Sequence, residues 1–198
     1  MPATLFWALA VFAFVTSVTP GPNNMMLLTS GVNFGFRRTI PHALGVALGF
    51  TLMVAIVGLG LAGIFARFPV LLVAMKWVGA AYMVYLAVKL ARAAPIRDGA
   101  AAGRPMTFLQ AAAFQWINPK AWIMALTAVA TYTLPERYTF TVAIVALVFG
   151  AINLPSVSSW VLFGSALRRA LADPRVLRIF NWTMAVLLIA SIVPALWE

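Results

Sequence analysis

The residues with the most chemical promise lie where apolar sequence should exclude them. Thr19-Pro20-Gly21-Pro22-Asn23-Asn24 interrupts a stretch, Met1 to Phe36, that contains no Lys, Arg, Asp, Glu or His. Ile117-Asn118-Pro119-Lys120 repeats the theme about half a chain further on. Proline lacks the N–H an interior helix needs and clashes with the turn before it, so each run breaks or kinks a helix. In hydrocarbon a freed backbone group costs several kcal/mol, so each break must face protein or a polar cavity. Thr or Asn followed by Pro is a helix-start signature, which predicts Thr19 as N-cap with Pro20 at N1, and Asn118 as N-cap with Pro119 at N1. The new N-terminus offers N–H groups to a carboxylate, and the half-helix ending there offers carbonyls to an ammonium group. An amino-acid zwitterion needs both. The plainer alternative is that these prolines only kink packed helices.

Candidate substrate-binding residues follow from that logic: Thr19, Gly21, Asn23 and Asn24 at the first break, and Gln115, Asn118 and Lys120 at the second. Asn153, beside a third proline interruption at Pro155, and Tyr82 complete the set. The helix-breaking residues are Pro20, Pro22, Pro119 and Pro155. Lys120 is the sharpest single candidate, about twelve residues from either flanking loop, too deep for its stem to reach the interface. Lys76 beside Trp77 reads instead as a snorkelling residue in an aromatic belt. The amides serve equally well as helix–helix glue, and Tyr82 and Tyr85 either line a cavity or simply pack. His42, the one histidine, lies by a basic loop and is expected to be solvated. All four acids, Asp98, Glu136, Asp173 and Glu198, fall at loops or the terminus, which leaves the usual carboxylate proton relay without a carrier. No metal-ligand cluster, nucleophile–base pair or phosphate loop is visible, and neither a metal, a cofactor nor an enzyme activity is expected.

The elements that position these residues are membrane spans. Of 198 residues, 64% are apolar and 9% charged, against roughly a quarter charged in a soluble domain. The net charge of +10 comes from basic residues clustered between apolar stretches, which is a topology signal rather than a nucleic-acid surface. The absence of cysteine excludes disulfides and thiolate chemistry. The N-terminus lacks a basic n-region and reads as a retained first helix. The pattern predicts an all-α polytopic fold of six transmembrane helices: Thr4 to Asn33 broken at the first run, His42 to Ala66, Val70 to Leu90, Met106 to Tyr132 broken at the second run, Tyr138 to Leu167, and Ile179 to Trp197. Gly45 and Gly49 form a small-xxx-small pair that lets a neighbouring helix approach.

Residues 1–198 thus form one transmembrane domain, with half one 1–92, half two 106–198 and a polar loop 93–105 between them. Three spans per half predict an inverted repeat with broken helices one and four. Arg37, Arg38, Lys89, Arg92, Arg97, Arg104, Arg168, Arg169, Arg175 and Arg178 fall in alternate loops, and only Arg67 and Arg137 in the others. The first set is therefore cytoplasmic. Both termini are then outside, unless the first broken span is a re-entrant hairpin.

These residues are also where the chain resembles a known family. Thr-Pro-Gly-Pro-Asn-Asn at 19–24, with Gly35-Phe36-Arg37 and Gly45-xxx-Gly49, is similar to the opening signature of the LysE/RhtB family of bacterial amino-acid exporters. Lys76-Trp77-Val78-Gly79-Ala80-Ala81-Tyr82 with Tyr85-Leu86, and Asn118-Pro119-Lys120, resemble its third and fourth spans. Pro-Gly-Pro-Asn-Asn with Leu134-Pro135 looks most like the branch of cysteine and O-acetylserine exporters. The resemblance implies proton-driven efflux of amino acids or their derivatives across the bacterial inner membrane. Some members carry an acid in the fifth span, where this chain has Asn153 to Ser156; its absence, with Lys120, argues against cationic substrates. The expectation is a secondary exporter of small, neutral amino acids. Its partners would be that substrate, a proton as coupling ion, the lipid bilayer and a second copy of the chain, with no nucleic acid. A passive pore and a non-transporting membrane scaffold are the alternatives.

Overall fold

The computed structural model describes residues 1–61, 67–92, 103–171, 173–191 and 193. Among them every regular element is helical. The eight α-helices are α1 (Ala3–Val18), α2 (Pro22–Phe34), α3 (Phe36–Ile56), α4 (Pro69–Ala91), α5 (Phe108–Phe114), α6 (Pro119–Tyr132), α7 (Tyr138–Leu167) and α8 (Pro174–Ala190). Their outer surface is apolar: Trp7, Val11, Leu52, Leu109, Leu147, Ile179 and Val186 are all exposed. Such a surface suits lipid and not water.

Three helical stretches are long and apolar enough to cross a bilayer, Phe36–Gly60, Val73–Ala91 and Pro135–Leu167. The pair α1 and α2, bent by 53° at the first break, makes a fourth if it is one span. Of the expected six spans, the one over Met106–Tyr132 is divided between α5 and α6, and α8 has 17 residues; residues 194–198 lie outside the described ones. Two expected boundaries need correction. Arg37 and Arg38 are not a loop but the first turn of α3, because Gly35 at φ +79° makes the whole reversal by itself. Consequently α3 starts six residues before His42, and His42 is buried rather than solvated.

Small residues set the helix spacing. A Cβ at Gly45 or Gly49 would strike the backbone of α5 at Phe108 and Ala112. Gly31 and Gly164 do the same for the crossing of α2 and α7, meeting Val161 and Leu28 respectively. These close approaches leave three apolar clusters. One joins α1, α3, α6 and α7 around Leu9, Phe50 and Phe149. Another joins α2, α3, α5 and α7 around Leu27, Val46 and Val161. A third holds the pair α4 and α8 against Met26 and Phe114.

The basic helix ends gather on one side. A side chain at Gly35 would meet the Arg168 guanidinium at 3.1 Å. Lys89, Arg92 and Arg104 share a cavity with Phe34, whose ring lies 5.5 Å from the Arg38 guanidinium. At the far end Gly58, two residues beyond α3, abuts Val142 of α7. Arg97, Asp98 and most of the 93–105 loop lie outside the described residues.

Candidate functional site

The two breaks meet. Where α1 ends, every backbone carbonyl finds a partner, as burial demands. The Thr19 N–H donates to Val15 O at 3.1 Å and its hydroxyl to Thr16 O at 3.1 Å. Asn24 Nδ2 reaches back to Ser17 O and Thr19 O, both at 2.8 Å. Trp160 Nε1, from α7, donates to Val18 O at 3.2 Å. Lys120 completes the set: its ammonium donates to Thr19 O and Thr19 Oγ1 at 2.9 Å each and to Pro20 O at 3.3 Å. A cation thus sits at the carbonyl end of a helix, where the dipole favours it.

The expected helix start is shifted by two residues. Thr19 is the C-cap of α1 and not the N-cap of α2; Gly21 is the N-cap and Pro22 stands at N1. The reason is the side-chain economy just described: Thr19 and Asn24 are both spent on the end of α1, so the chain stays extended through Pro20. The first intrahelical bond of α2 runs from Met25 N–H to Gly21 O at 3.0 Å, ahead of which stand the N–H groups of Asn23 and Asn24.

At the second break Asn118 is the N-cap and Pro119 is N1, and Asn118 Oδ1 accepts from the Lys120 N–H at 3.2 Å. Just before it, Gln115 and Asn23 exchange a reciprocal amide pair: Asn23 Nδ2 donates to Gln115 Oε1 at 2.8 Å, and Gln115 Nε2 to Asn23 Oδ1 at 3.2 Å. The residues are 92 positions apart in sequence. The breaks are therefore joined by two polar links, one of amides and one through Lys120.

Between them lies a cavity of about 30 Å³, room for about one water molecule. Gly21, Asn23, Asn24, Gln115, Asn118, Lys120 and Asn153 all line it, together with Ser17, Val46, Phe50 and Val157. Two polar atoms of this wall have no protein partner, Ser17 Oγ and Asn153 Oδ1. Pro22 lines the cavity, whereas Thr19 and Pro20 are exposed on its Lys120 side.

Tyr82 is elsewhere. It packs 5.9 Å from the Phe114 ring and 5.8 Å from Tyr85, and it lines neither this cavity nor the larger one described below. Pro155 is not a break: α7 runs through it from Tyr138 to Leu167. The carbonyl left without its helical donor by Pro155 is that of Ala151, four residues back; the Ser156 hydroxyl donates to the next one, Ile152 O, at 2.8 Å. Sequence reasoning missed Ser17, Trp160 and His42. A serine and a tryptophan in an apolar run carry no positional signal. His42 was masked by the misplaced start of α3.

A second, larger cavity of about 620 Å³ opens at the basic end. It is walled by α2, α3, α4, α8 and the segment Gly103–Met106. Along α2 it begins at Met26, directly after the residues of the break.

Comparison with known proteins gives the site its context. The LysE type translocator model matches residues 14–192. The cysteine/O-acetylserine efflux protein of Escherichia coli O139:H28 (strain E24377A / ETEC) is 32% identical over 191 residues, covering 96% of each chain. That of Klebsiella pneumoniae subsp. pneumoniae is 31% identical over 193 residues, 96% of this chain and 95% of its own. That of Salmonella typhimurium is 33% identical over 172 residues, 86% of each. No solved structure matches the chain. Broken helices joined at a polar mid-chain cavity, an apolar outer surface and a match over nearly the full length lead to one statement: this chain is an integral membrane protein of the LysE type translocator family, a family of transporters and not of enzymes.

Proposed function

We propose that the chain is a secondary exporter of small, neutral amino acids or their derivatives, with O-acetyl-L-serine and L-cysteine as the first substrates to test. The observation that carries this reading is the docking of the two breaks around one polar cavity. The names of the similar proteins in the three bacteria point the same way. The substrate's carboxylate takes the N–H groups of Asn23 and Asn24 at the start of α2, with the Asn23 and Asn118 side chains beside it. Its ammonium takes the carbonyls of Thr19 and Pro20 that Lys120 now occupies. Gln115 and Asn153 supply neutral hydrogen bonds. Gly21 lets the Lys120 stem lie close. A net cation is disfavoured because the wall keeps the Lys120 ammonium nearby and has no carboxylate among the described residues; two like charges at about 4 Å repel by about 4 kcal/mol at an effective dielectric of about 20.

Proton coupling, export across the inner membrane and the orientation with basic ends in the cytoplasm belong to the same reading. Lys120 is the ionisable side chain lining the break cavity and the natural carrier of a charge change. Six spans in a 3+3 inverted repeat find support in the packing. Exchanging spans one with four, two with five and three with six maps the contact of the first span on α7 onto that of α5 on α3, and maps the pair α4 and α8 onto itself. The 53° bend between α1 and α2 is well short of the reversal of a re-entrant hairpin. A homodimer of the chain belongs to the same reading.

Counterflow in proteoliposomes tests the whole reading. Saturable exchange of O-acetyl-L-serine, blocked by free amino acids and hardly at all by their amides, is expected, and an imposed proton gradient should drive accumulation. Linear, non-exchanging flux would make the protein a pore; no flux with any amino acid would leave a scaffold. Equal competition by amide and free acid would remove the carboxylate from the start of α2.

A further inference from the structure

The large cavity at the basic end is too built to be a plain opening. Its 620 Å³ falls in the range of small-molecule sites, ~300–1,000 Å³. Lys89, Arg92 and Arg104 line it, and among the described residues no carboxylate does. In its wall stands His42, 1% exposed, with neither ring nitrogen hydrogen-bonded to the protein. A neutral imidazole has one donor and one acceptor, and leaving a buried one unmade costs about 1–3 kcal/mol.

The side chains around it complete a pattern. The Thr39 hydroxyl donates to Gly35 O at 2.9 Å, so the Ser30 hydroxyl, 2.9 Å from Thr39 Oγ1, is the donor of that pair. Ser30 Oγ is left with lone pairs to offer. Asn33 spends its amide hydrogens on Thr29 O at 2.9 Å and Asn181 Oδ1 at 3.2 Å, which leaves Asn33 Oδ1 as an acceptor. Ser30, Asn33 and His42 all line the cavity. Its wall therefore holds acceptors on α2, an unpaired donor and acceptor buried in the wall on α3, and three cations.

Placement matters as much as chemistry. On α3, His42, Val46 and Phe50 follow one face at four-residue spacing; His42 lines the large cavity, Val46 and Phe50 the small one. On α2, Met26 lines the large cavity and Asn23 and Asn24 the small one. Along both helices the lining passes from one cavity to the other within about a turn, before Met26 on α2 and between His42 and Val46 on α3.

We propose that this vestibule is a second binding site for a zwitterionic amino acid, occupied before the break site, in which His42 and the rim cations hold the carboxylate and Ser30 and Asn33 hold the ammonium. It rests on the exporter reading and adds a station to it. From there the solute moves on past Met26 and Val46, where the two linings follow one another along α2 and α3.

The chain has no cysteine, so a single reporter can be placed at Leu86, which lines the vestibule and has no assigned role. Leu86→Cys in membrane vesicles is labelled with N-ethylmaleimide, with and without O-acetyl-L-serine. The amino acid should slow labelling, and should still do so with Lys120→Met, which disables the break site. With His42→Leu the half-protecting concentration should rise about tenfold or more, as expected for losing a hydrogen bond to a charged group. His42→Gln, which keeps a donor and an acceptor, should restore most of the protection. Ser30→Ala should weaken it.

Protection lost with Lys120→Met and kept with His42→Leu would place the solute only at the breaks, overturning the vestibule while the exporter stands. Equal protection by inorganic phosphate would reduce it to a basic mouth and overturn the zwitterion site. Absence of protection at any concentration would overturn it too, and export measured in the same vesicles decides separately whether the exporter reading falls.

Discussion

Gly21→Ala should loosen the protein through a side chain 99 positions away in sequence. Gly21 has φ −177°, ordinary extended backbone that alanine adopts without strain. Its lack of a side chain is needed for Lys120. A Cβ there would stand 2.8 Å from Lys120 Cδ and 3.2 Å from Nζ, against an ordinary carbon contact of about 3.5–4.0 Å. The stem must move by roughly 1 Å to recover that contact. Bonds now at 2.9 Å to Thr19 O and Thr19 Oγ1 then stretch beyond useful length. A charged hydrogen bond contributes about 1.5–3 kcal/mol in a dry setting. This ammonium is partly exposed, so about 1 kcal/mol is the better figure. For a chain of this size that lowers the melting temperature by roughly 2–4 °C, and an equal rise in the transport barrier slows counterflow about fivefold. Thermal unfolding in detergent, followed by tryptophan fluorescence, measures the first quantity. In a Lys120→Ala background, where the stem is gone, Gly21→Ala should cost nothing beyond about 0.5 kcal/mol. An equal loss of melting temperature in both backgrounds would refute the coupling of Gly21 to Lys120.

Other expectations follow from the same geometry. Lys120→Met should abolish counterflow while the protein still inserts, and Lys76→Met, beside the exposed Trp77, should leave it nearly intact; equal tolerance at both would remove Lys120 from transport. Asn23→Asp loses the donor that reaches Gln115 Oε1 at 2.8 Å and places a second anion by the substrate's carboxylate. At about 4 Å that repulsion is worth up to ~4 kcal/mol, so counterflow should fall by more than tenfold, whereas unchanged export would clear Asn23 of contact with the carboxylate. Single cysteines at Arg169 and Glu136 should react with a membrane-impermeant maleimide from opposite sides, Arg169 from the cytoplasm; labelling of both from one side would overturn the topology.

How much of this was legible in the sequence depended on whether a residue's role was local. Asn118-Pro119 announced its helix start correctly because an Asn–Pro pair settles its own backbone: the side chain caps the N–H two residues on, and the ring supplies the N1 geometry. Thr19-Pro20 carries a similar signature and misled, since Thr19 and Asn24 are claimed by the end of α1, a claim visible only once the chain has folded back. Pro155 misled in the opposite sense, as α7 runs through it unbroken. The two breaks, at matching positions in the two halves, both supply residues to the one cavity. The particular partners, Asn23 with Gln115 and Lys120 with Thr19, are long-range choices with no local signal. His42 shows how one boundary error propagates: a helix start set by the positive φ of Gly35 turned an expected surface residue into a buried one.

Lys120 laid across the carbonyls of Thr19 and Pro20 has a thermodynamic consequence for any solute that binds there. The ammonium is a tethered competitor, held at an effective concentration of at least roughly millimolar by its own chain. A visiting ammonium must outbid it, so apparent affinity falls by the fraction of time the lysine is away. A solute lacking an ammonium gains nothing from the exchange, however well its carboxylate fits. In the exporter reading, affinity weakened in this way raises the solute concentration at which transport is half-saturated, so that flux stays proportional to concentration over a wider range.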